Sequence, residues 1–560
     1  MVAVVVLVNV VFPPTRPSQP APAADTTGAV PPAPQPEPQQ RAAAAPVHVP
    51  DQLAATPGTV PSGTTAASTR ADTIVVESPI YRFKFSTLGA RLVSASLLRY
   101  EDFASETDGP VQLKPADAPF LVAHNLRTAG QFTDLANVNF AADQPAGLVL
   151  NADDRGAALA FTGVDANGRA VQITYSFLPN EYTVDVAIRA PGANQVVIDY
   201  APTLAINEAN AAEDQRALAY VYNSQRQGIT SVPLRKVKGP QRTIEGPLTW
   251  VALKNKYFLV AAMQQDAEQS GFGGIIVSDG QNEFEANIAT TLETGTDSLA
   301  TYQLFVGPQE YERLLALGRG LEDVNPYGWR WLRPIIRPIG HALTWLMLET
   351  HNATNLAYGW VLVLFGIAVR VALWPLNAKA MRSQLKSMEL QPRIKAIQER
   401  WAKADPQRFQ QEMLKLYKEE KFNPMGGCFP LLLPMPVLIT LFFVFQGTIE
   451  FRGVSWMWLP DLSLKDPLYI LPILLGVTMF LQQYVSMKSM PPNPQMKFMM
   501  WFMPGFMTFL FLNFASGLNL YYLAQNFAAF PQQLQLMKER QRFQAQRAVA
   551  TTEKPARRNR

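Results

Sequence analysis

Thiols, imidazoles and charge are scarce in this 560-residue chain, and each scarcity excludes something. A single cysteine, Cys428, rules out an intrachain disulfide framework, a cysteine-rich zinc site and a dithiol redox centre. The four histidines are His48, His124, His341 and His351, so the last 209 residues hold no histidine-dependent active site. Charged residues make up 17% and the apolar set 48%, with 18 Met, 31 Phe and 45 Pro, which is not the balance of one soluble globule. The formal net charge of +4 is too small to imply a nucleic-acid partner. No metal-ligand spacing, glycine-rich phosphate loop or nucleophile elbow occurs between residues 72 and 318. The reading is of a non-enzyme with no cofactor and no metal.

The averages conceal a split along the chain. Val2–Phe12 is apolar, but eleven residues are too few to cross a hydrocarbon core of about 30 Å, and no Lys or Arg precedes them. Residues 1–12 therefore read as the last half of a transmembrane anchor rather than a secretory h-region. Residues 13–71 are Pro/Ala-rich and read as a disordered linker. From residue 72 to 318 the apolar period is two. Val171, Ile173, Tyr175 and Phe177, then Tyr182, Val184, Val186 and Ile188 after Pro179-Asn180, form a hairpin of half-buried strands. About 245 residues of this kind suggest a large β-sandwich, with a helix opening after Pro308 through Leu314–Leu317. Residues 319–354 carry Trp329, Trp331 and Trp345 beside Arg330, Arg333 and Arg337, as suits an amphipathic helix in the lipid interface.

Residues 355–536 contain five candidate spans: Leu356–Leu376, Cys428–Gly447, Leu468–Val485, Phe498–Phe514 and Leu518–Leu536. The connection Lys379–Lys421 holds eleven Lys/Arg against six Asp/Glu, and the tail 537–560 holds eight against two. Thr448–Pro467, between the second and third spans, has only Arg452 and Lys465 as basic residues. Positive connections stay in the cytoplasm, which puts the β domain outside and the C-terminus inside.

Arg370 lies within the first span, and no Asp or Glu occurs in any of the five. A mid-bilayer Arg costs about 2.5–3.5 kcal/mol on insertion scales. Two readings follow: snorkelling to the inner interface, or a water-filled cavity between helices. Thr440, Gln446, Asn519, Gln525 and Asn526 are the polar residues available to line such a cavity, and residues 519 and 526, seven apart, share a helix face. Interhelical hydrogen bonding is their other reading. Without Asp, Glu or His in the spans, neither a proton relay nor intramembrane proteolysis is supported. Leu432, Phe442, Met503 and Met507 offer a flexible apolar path along the second and fourth spans, or plain gap-filling. Between Lys379 and Lys421, three groups repeat at spacings of three and four: Met381, Leu385 and Met388; Ile394, Ile397 and Trp401; and, after Asp405-Pro406, Phe409, Met413 and Leu416. That pattern predicts an antiparallel helical hairpin (379–421) with basic faces, able to meet a ribosome or anionic lipid, or serving only as a topology signal.

Four motifs occur in order: Ala368-Val-Arg-Val-Ala-Leu-Trp-Pro-Leu376; Leu390-Gln-Pro-Arg-Ile394; Asn423-Pro-Met-Gly-Gly-Cys-Phe-Pro-Leu-Leu432 with Met435-Pro436; and Ser516-Gly-Leu-Asn-Leu-Tyr-Tyr522. With them the chain resembles the YidC/Oxa family of membrane protein insertases, in the long Gram-negative form, from about Tyr327 to Arg540. Trp250-Val-Ala-Leu253 and Tyr257-Phe258 extend the resemblance into the β domain. It implies an α-helical polytopic membrane bundle, a five-span insertase core plus an N-terminal anchor, with a periplasmic all-β supersandwich. It also implies residence in the bacterial inner membrane and an insertase and chaperone role alone or with the Sec translocon. Nascent membrane proteins would be the clients, Arg370 the groove arginine and 379–421 the mobile cytoplasmic hairpin. Pro434 and Pro531 depart from the expected pattern. From the residues alone, a small-anion transporter or channel, or a Sec-associated scaffold, stays open.

Overall fold

A computed structural model describes residues 71–553, apart from 105–108, 266–270, 296, 326, 329–330, 376–389, 391–392, 402–404, 421–434 and 488–493. The anchor and linker expected over residues 1–12 and 13–70 therefore lie outside the described residues, as do Met381, Leu385, Met388, Leu432 and Pro434.

Among the described residues nineteen strands, β1 (Thr73–Glu77) to β19 (Leu299–Pro308), form one continuous ribbon. The expected hairpin is β10 (Ala170–Phe177) against β11 (Thr183–Arg189), with Tyr175 opposite Val186 and Phe177 opposite Val184. The ribbon turns over through β15 (Arg242–Lys254). Its first half pairs with β17 (Phe272–Asp279) and its second with β13 (Ala219–Ser224) and β16 (Phe258–Gln264), on either side of a register shift between Glu245 and Leu248. In the interior, Phe85 of β2 (Tyr81–Ser86) lies against Phe161, Tyr175 and Phe177, ring centroids 4.6 Å apart for Tyr175. Such alternating large rings are what a sandwich interior buries. One polar group is enclosed with them: His124 Nε2 lies 2.6 Å from the Tyr302 hydroxyl, and burial pulls its imidazole down to about 3.

The chain then becomes helical. After a short α1 (Ala211–Ala217) inserted in the β domain, α2 (Tyr311–Ala316) closes it. Within the expected segment 319–354 lies helix α3 (Arg333–Thr354), with Pro334 in its first turn and Asn355, at φ 52°, in the left-handed closing position. Ile336, Gly340, Thr344, Met347 and Leu348 form its buried stripe, while Ile335, Trp345 and Leu346 are exposed. Six further elements follow: α4 (Tyr358–Ala372), α5 (Pro406–Glu419), α6 (Met435–Gly447), α7 (Ile470–Met487), α8 (Pro494–Phe511) and α9 (Ser516–Glu553). Helix α9 packs on α4 and α7, α7 on α8, and α3 on α6.

Two differences from the sequence reading have physical reasons. Among the described residues no helix is long and apolar enough to cross a membrane. The first span is described only to Ala372 as helix, the second only from Met435, and Pro, Gln and Lys dilute the others. The last helix does not stop near Leu536 but continues to Glu553, because nothing after Pro531 breaks it: Gln, Leu, Met, Lys and Glu are good helix formers.

Candidate functional site

Arg370 is placed by a close crossing. One turn before it, α4 meets α9 at Gly366, where an added Cβ would stand 2.8 Å from the Tyr521 carbonyl oxygen and 3.2 Å from the Ala524 Cβ. Only glycine admits that approach without displacing backbone. Arg370 is half-buried, and among the described residues its fully buried Nε has no hydrogen-bond partner and its side chain makes no ion pair. Tyr521 lies at the same crossing, and its buried hydroxyl also lacks a hydrogen-bond partner among the described residues. Gln532, eleven residues along α9, donates to the Trp374 carbonyl at 3.5 Å.

The polar residues named from sequence divide among separate surroundings. Asn519 and Asn526 do share a face of α9, but it turns toward α7 and α8. Asn519 Nδ2 donates to the Phe511 carbonyl (3.1 Å), and Asn526 Nδ2 to Thr478 Oγ1 (3.2 Å). Gln533 continues that face, donating to the Gln482 carbonyl. Gln525 sits at the Gly366 crossing, its backbone nitrogen 3.3 Å from the added Cβ, so it belongs with Arg370. Thr440 is fully buried inside α6. Gln446 lies at the other end of α6, exposed beside Lys254 and Lys256 of the β domain. Tyr521 and Gln532 were missed as lining candidates. Their signal was present, since 521, 525 and 532 fall at helical spacings of four and seven on one face.

The apolar residues are also rearranged. Phe442 packs inward, its ring 5.2 Å from Phe514, and Met503 and Met507 are half-buried. What α8 exposes is a row of phenylalanines: Phe498 stacks on Phe502 (5.2 Å) and Phe502 on Phe506 (5.7 Å). Trp360, Leu364, Ile367 and Val371 are exposed on α4, and Ile473, Val477 and Leu481 on α7. Outward-facing apolar stripes on neighbouring helices are the inverse of a water-soluble bundle.

The hairpin is antiparallel where it is described. Helical residues 393–401 run back along α5: Arg393 pairs with Glu420 (2.5 Å), and the Arg408 guanidinium lies over the Trp401 ring at 4.2 Å. Leu390, Ile394 and Ile397 meet Leu416 and Tyr417, and Phe409 and Met413 are half-buried. Asp405 caps α5, its Oδ1 accepting from the amides of Gln407 and Arg408.

At the opposite end of the bundle the α6–α7 connection grips the β domain. Arg452 donates through Nε to Glu208 Oε1 (2.7 Å) and through its second amino group to the carbonyls of Glu101 and Asn207, with the Phe103 ring 4.2 Å away. Both charged side chains are nearly sealed, 3% and 4% exposed. Burial pushes the Glu208 carboxyl up to about 7 despite the Arg452 charge that opposes the shift. Glu450 accepts from the Tyr311 amide, and burial, reinforced by Glu310 and Glu312, raises it to about 7. Tyr311, His341 and Asp323 form a chain that ties α2 to α3, and Arg337 also pairs with Asp323.

Residues 73–341 match the family described as the YidC periplasmic domain, and residues 349–544 the 60Kd inner membrane protein family. The membrane protein insertase YidC of Syntrophus aciditrophicus is 31% identical over 479 residues, covering 83% of this chain and 85% of the relative. That of Ralstonia nicotianae is 33% identical over 533 residues, covering 92% and 91%. The chain belongs to the YidC family. A crystal structure of an active YidC insertase with its first transmembrane domain resolved is 18% identical to the chain, with a TM-score of 0.32, covering 82% of this chain and 93% of that one. YidC relatives are inner-membrane proteins with a periplasmic domain, and in this chain the strands β1 to β19 and α2 fall within the matched periplasmic segment.

Proposed function

We propose that the protein inserts and helps to fold integral inner-membrane proteins, without a covalent step, along the face of the bundle that carries Arg370. The carrying observation is a half-buried guanidinium whose buried Nε has no hydrogen-bond partner among the described residues, on a helix with an exposed apolar face. An unneutralised charge at that depth needs water, so α4 and α9 enclose a wet groove open to the cytoplasm. Arg370, with Tyr521, Gln525 and Gln532 on the facing helix, draws in the polar flank of a nascent segment. The apolar part then moves along the exposed phenylalanines of α8 into lipid, driven by burial at about 25 cal/mol per Å². Helices α4 and α6 to α9 cross the bilayer in this reading, the β domain is periplasmic and the C-terminus cytoplasmic. The hairpin meets the ribosome or anionic lipid, and the Sec translocon is a partner.

Insertion of a single-span test protein into proteoliposomes tests this. Arg370→Ala should lose most activity for clients with acidic translocated segments, and Arg370→Lys should retain much of it. Equal loss for acidic and neutral clients would remove the electrostatic role.

A further inference from the structure

Where α6 ends against the β domain, a cavity of about 340 Å³ is lined by Arg216, Lys254, Lys256, Ser231, Phe443 and Gln446, among others. Its lining contains three cations and no carboxylate. Lys256 is already paired with Glu213 at 3.2 Å. Lys254 is not: among the described residues its ammonium bonds only to the carbonyls of Ala217 (3.3 Å) and Asn255 (3.1 Å), and the side chain is buried. An ammonium has three donors, so one is left over. Burial pulls this amine down to about 8, although the Asp214 carboxylate, which bonds to the backbone amides of Asn207 and Lys256 and not to this ammonium, opposes the shift. Arg216, at the exposed end of α1, makes no ion pair among the described residues. The opposite wall is the end of an uncharged apolar helix, with Phe443 in the lining.

We propose that this cavity is a binding site for the phosphate of an anionic phospholipid headgroup, held by Lys254 and Arg216 at the β-domain end of α6. A basic recess beside an apolar helix end fits a lipid better than a soluble anion, because the acyl chains have a surface to follow. The site would tie the β domain to the membrane independently of the Arg452 contact. The assignment rests on the reading of α6 as a membrane-spanning helix.

The test is lipid retention by the full-length protein in detergent, read by native mass spectrometry with short-chain phosphatidylglycerol or phosphatidylcholine added. Each cation near an anionic lipid is worth about fivefold in binding. Arg216→Glu, a change of two charges, should lower phosphatidylglycerol retention about 25-fold and Gln446→Glu, a change of one, about fivefold, both at exposed positions and both leaving phosphatidylcholine unchanged. Equal retention of both lipids, or a preference that neither variant alters, overturns the site. Inorganic phosphate displacing phosphatidylglycerol at matching concentration overturns the lipid source and leaves a free-anion site. A spin label at Ile439→Cys, with Cys428→Ser, reports separately whether α6 meets lipid. If it does and retention still fails these tests, only the headgroup site falls.

Discussion

Removing Arg452 should loosen the β domain from the α6–α7 connection by an amount that depends on pH. The pair with Glu208 is nearly sealed, and stripping one partner from a buried pair costs about 3–5 kcal/mol, because the other charge is left uncompensated. Glu208 has an escape. Its carboxyl titrates at about 7 even beside the guanidinium, and higher without it, so at pH 6 the orphaned acid takes a proton. The cost then shrinks to the lost hydrogen bonds to Glu101 and Asn207 and the contact with Phe103, about 2–3 kcal/mol together. Arg452→Met keeps the apolar stem while deleting the charge. Local opening is best read by amide hydrogen exchange in residues 448–467 of the full-length protein, since a protein of several parts has no single unfolding free energy. The expected result is a loss of about 3–5 kcal/mol in protection at pH 8 and clearly less at pH 6. In a Glu208→Gln background the Arg452→Met effect should fall by at least about 1.5 kcal/mol. An Arg452→Met loss below about 1 kcal/mol at pH 8, or one unchanged by Glu208→Gln, would show that the pair does not hold the junction.

Three further outcomes follow from particular contacts. Glu450 titrates at about 7 folded against an ordinary 4.5, so its contribution is fully present below about pH 4.5 and is lost as pH rises through 7; exchange at the Tyr311 amide, corrected for intrinsic rate, should ease over that window, and Glu450→Gln should flatten the trend. Gly366→Val places atoms against the Tyr521 carbonyl and should push α4 from α9 at a cost of about 1–3 kcal/mol, read as lost amide-exchange protection in residues 358–372 together with lost insertion; unchanged protection there would contradict the close crossing. Asp405→Ala removes the acceptor of two amides and should cost α5 about 0.5–2 kcal/mol in exchange protection over residues 406–419, with no effect on the β domain.

Period-two alternation located the β10–β11 hairpin because each strand buries one face, and a register error would expose every ring at once. The way the nineteen strands join was not legible. The turn-over at β15 depends on a register shift and on partners far apart in sequence, and neither leaves a local pattern. Helix positions were legible from apolar runs, whereas helix faces were only half so. The seven-residue spacing of Asn519 and Asn526 correctly put them on one face, but spacing within a helix says nothing about which neighbour that face meets. Methionine density drew attention to Met503 and Met507, yet α8 exposes Phe498, Phe502 and Phe506, spaced by four. Met503 and Met507 are half-buried, and the stiff rings stand outside.

Two arginines show where such reading stops. Arg370 could be called unneutralised from sequence because the pool of possible partners was empty: no span contains an acid, so folding had none to bring from within the spans. Arg452 offered no such argument. It lies in a short connection with few charges, beside an ordinary Glu450, and its partner Glu208 is 244 residues away in another part of the chain. Sequence fixes where charges are; only an empty partner list or a structure says which of them are paired. The same reasoning separates the two sites functionally. A cation whose countercharge is built into the fold serves stability, and Arg452→Met should therefore lower protection at the junction more than it lowers insertion by the purified protein. A cation without one has its charge available to whatever arrives, and Arg370→Ala should do the reverse. Equal effects of both variants on both measurements would mean that burial, and not pairing, sets what an arginine does here.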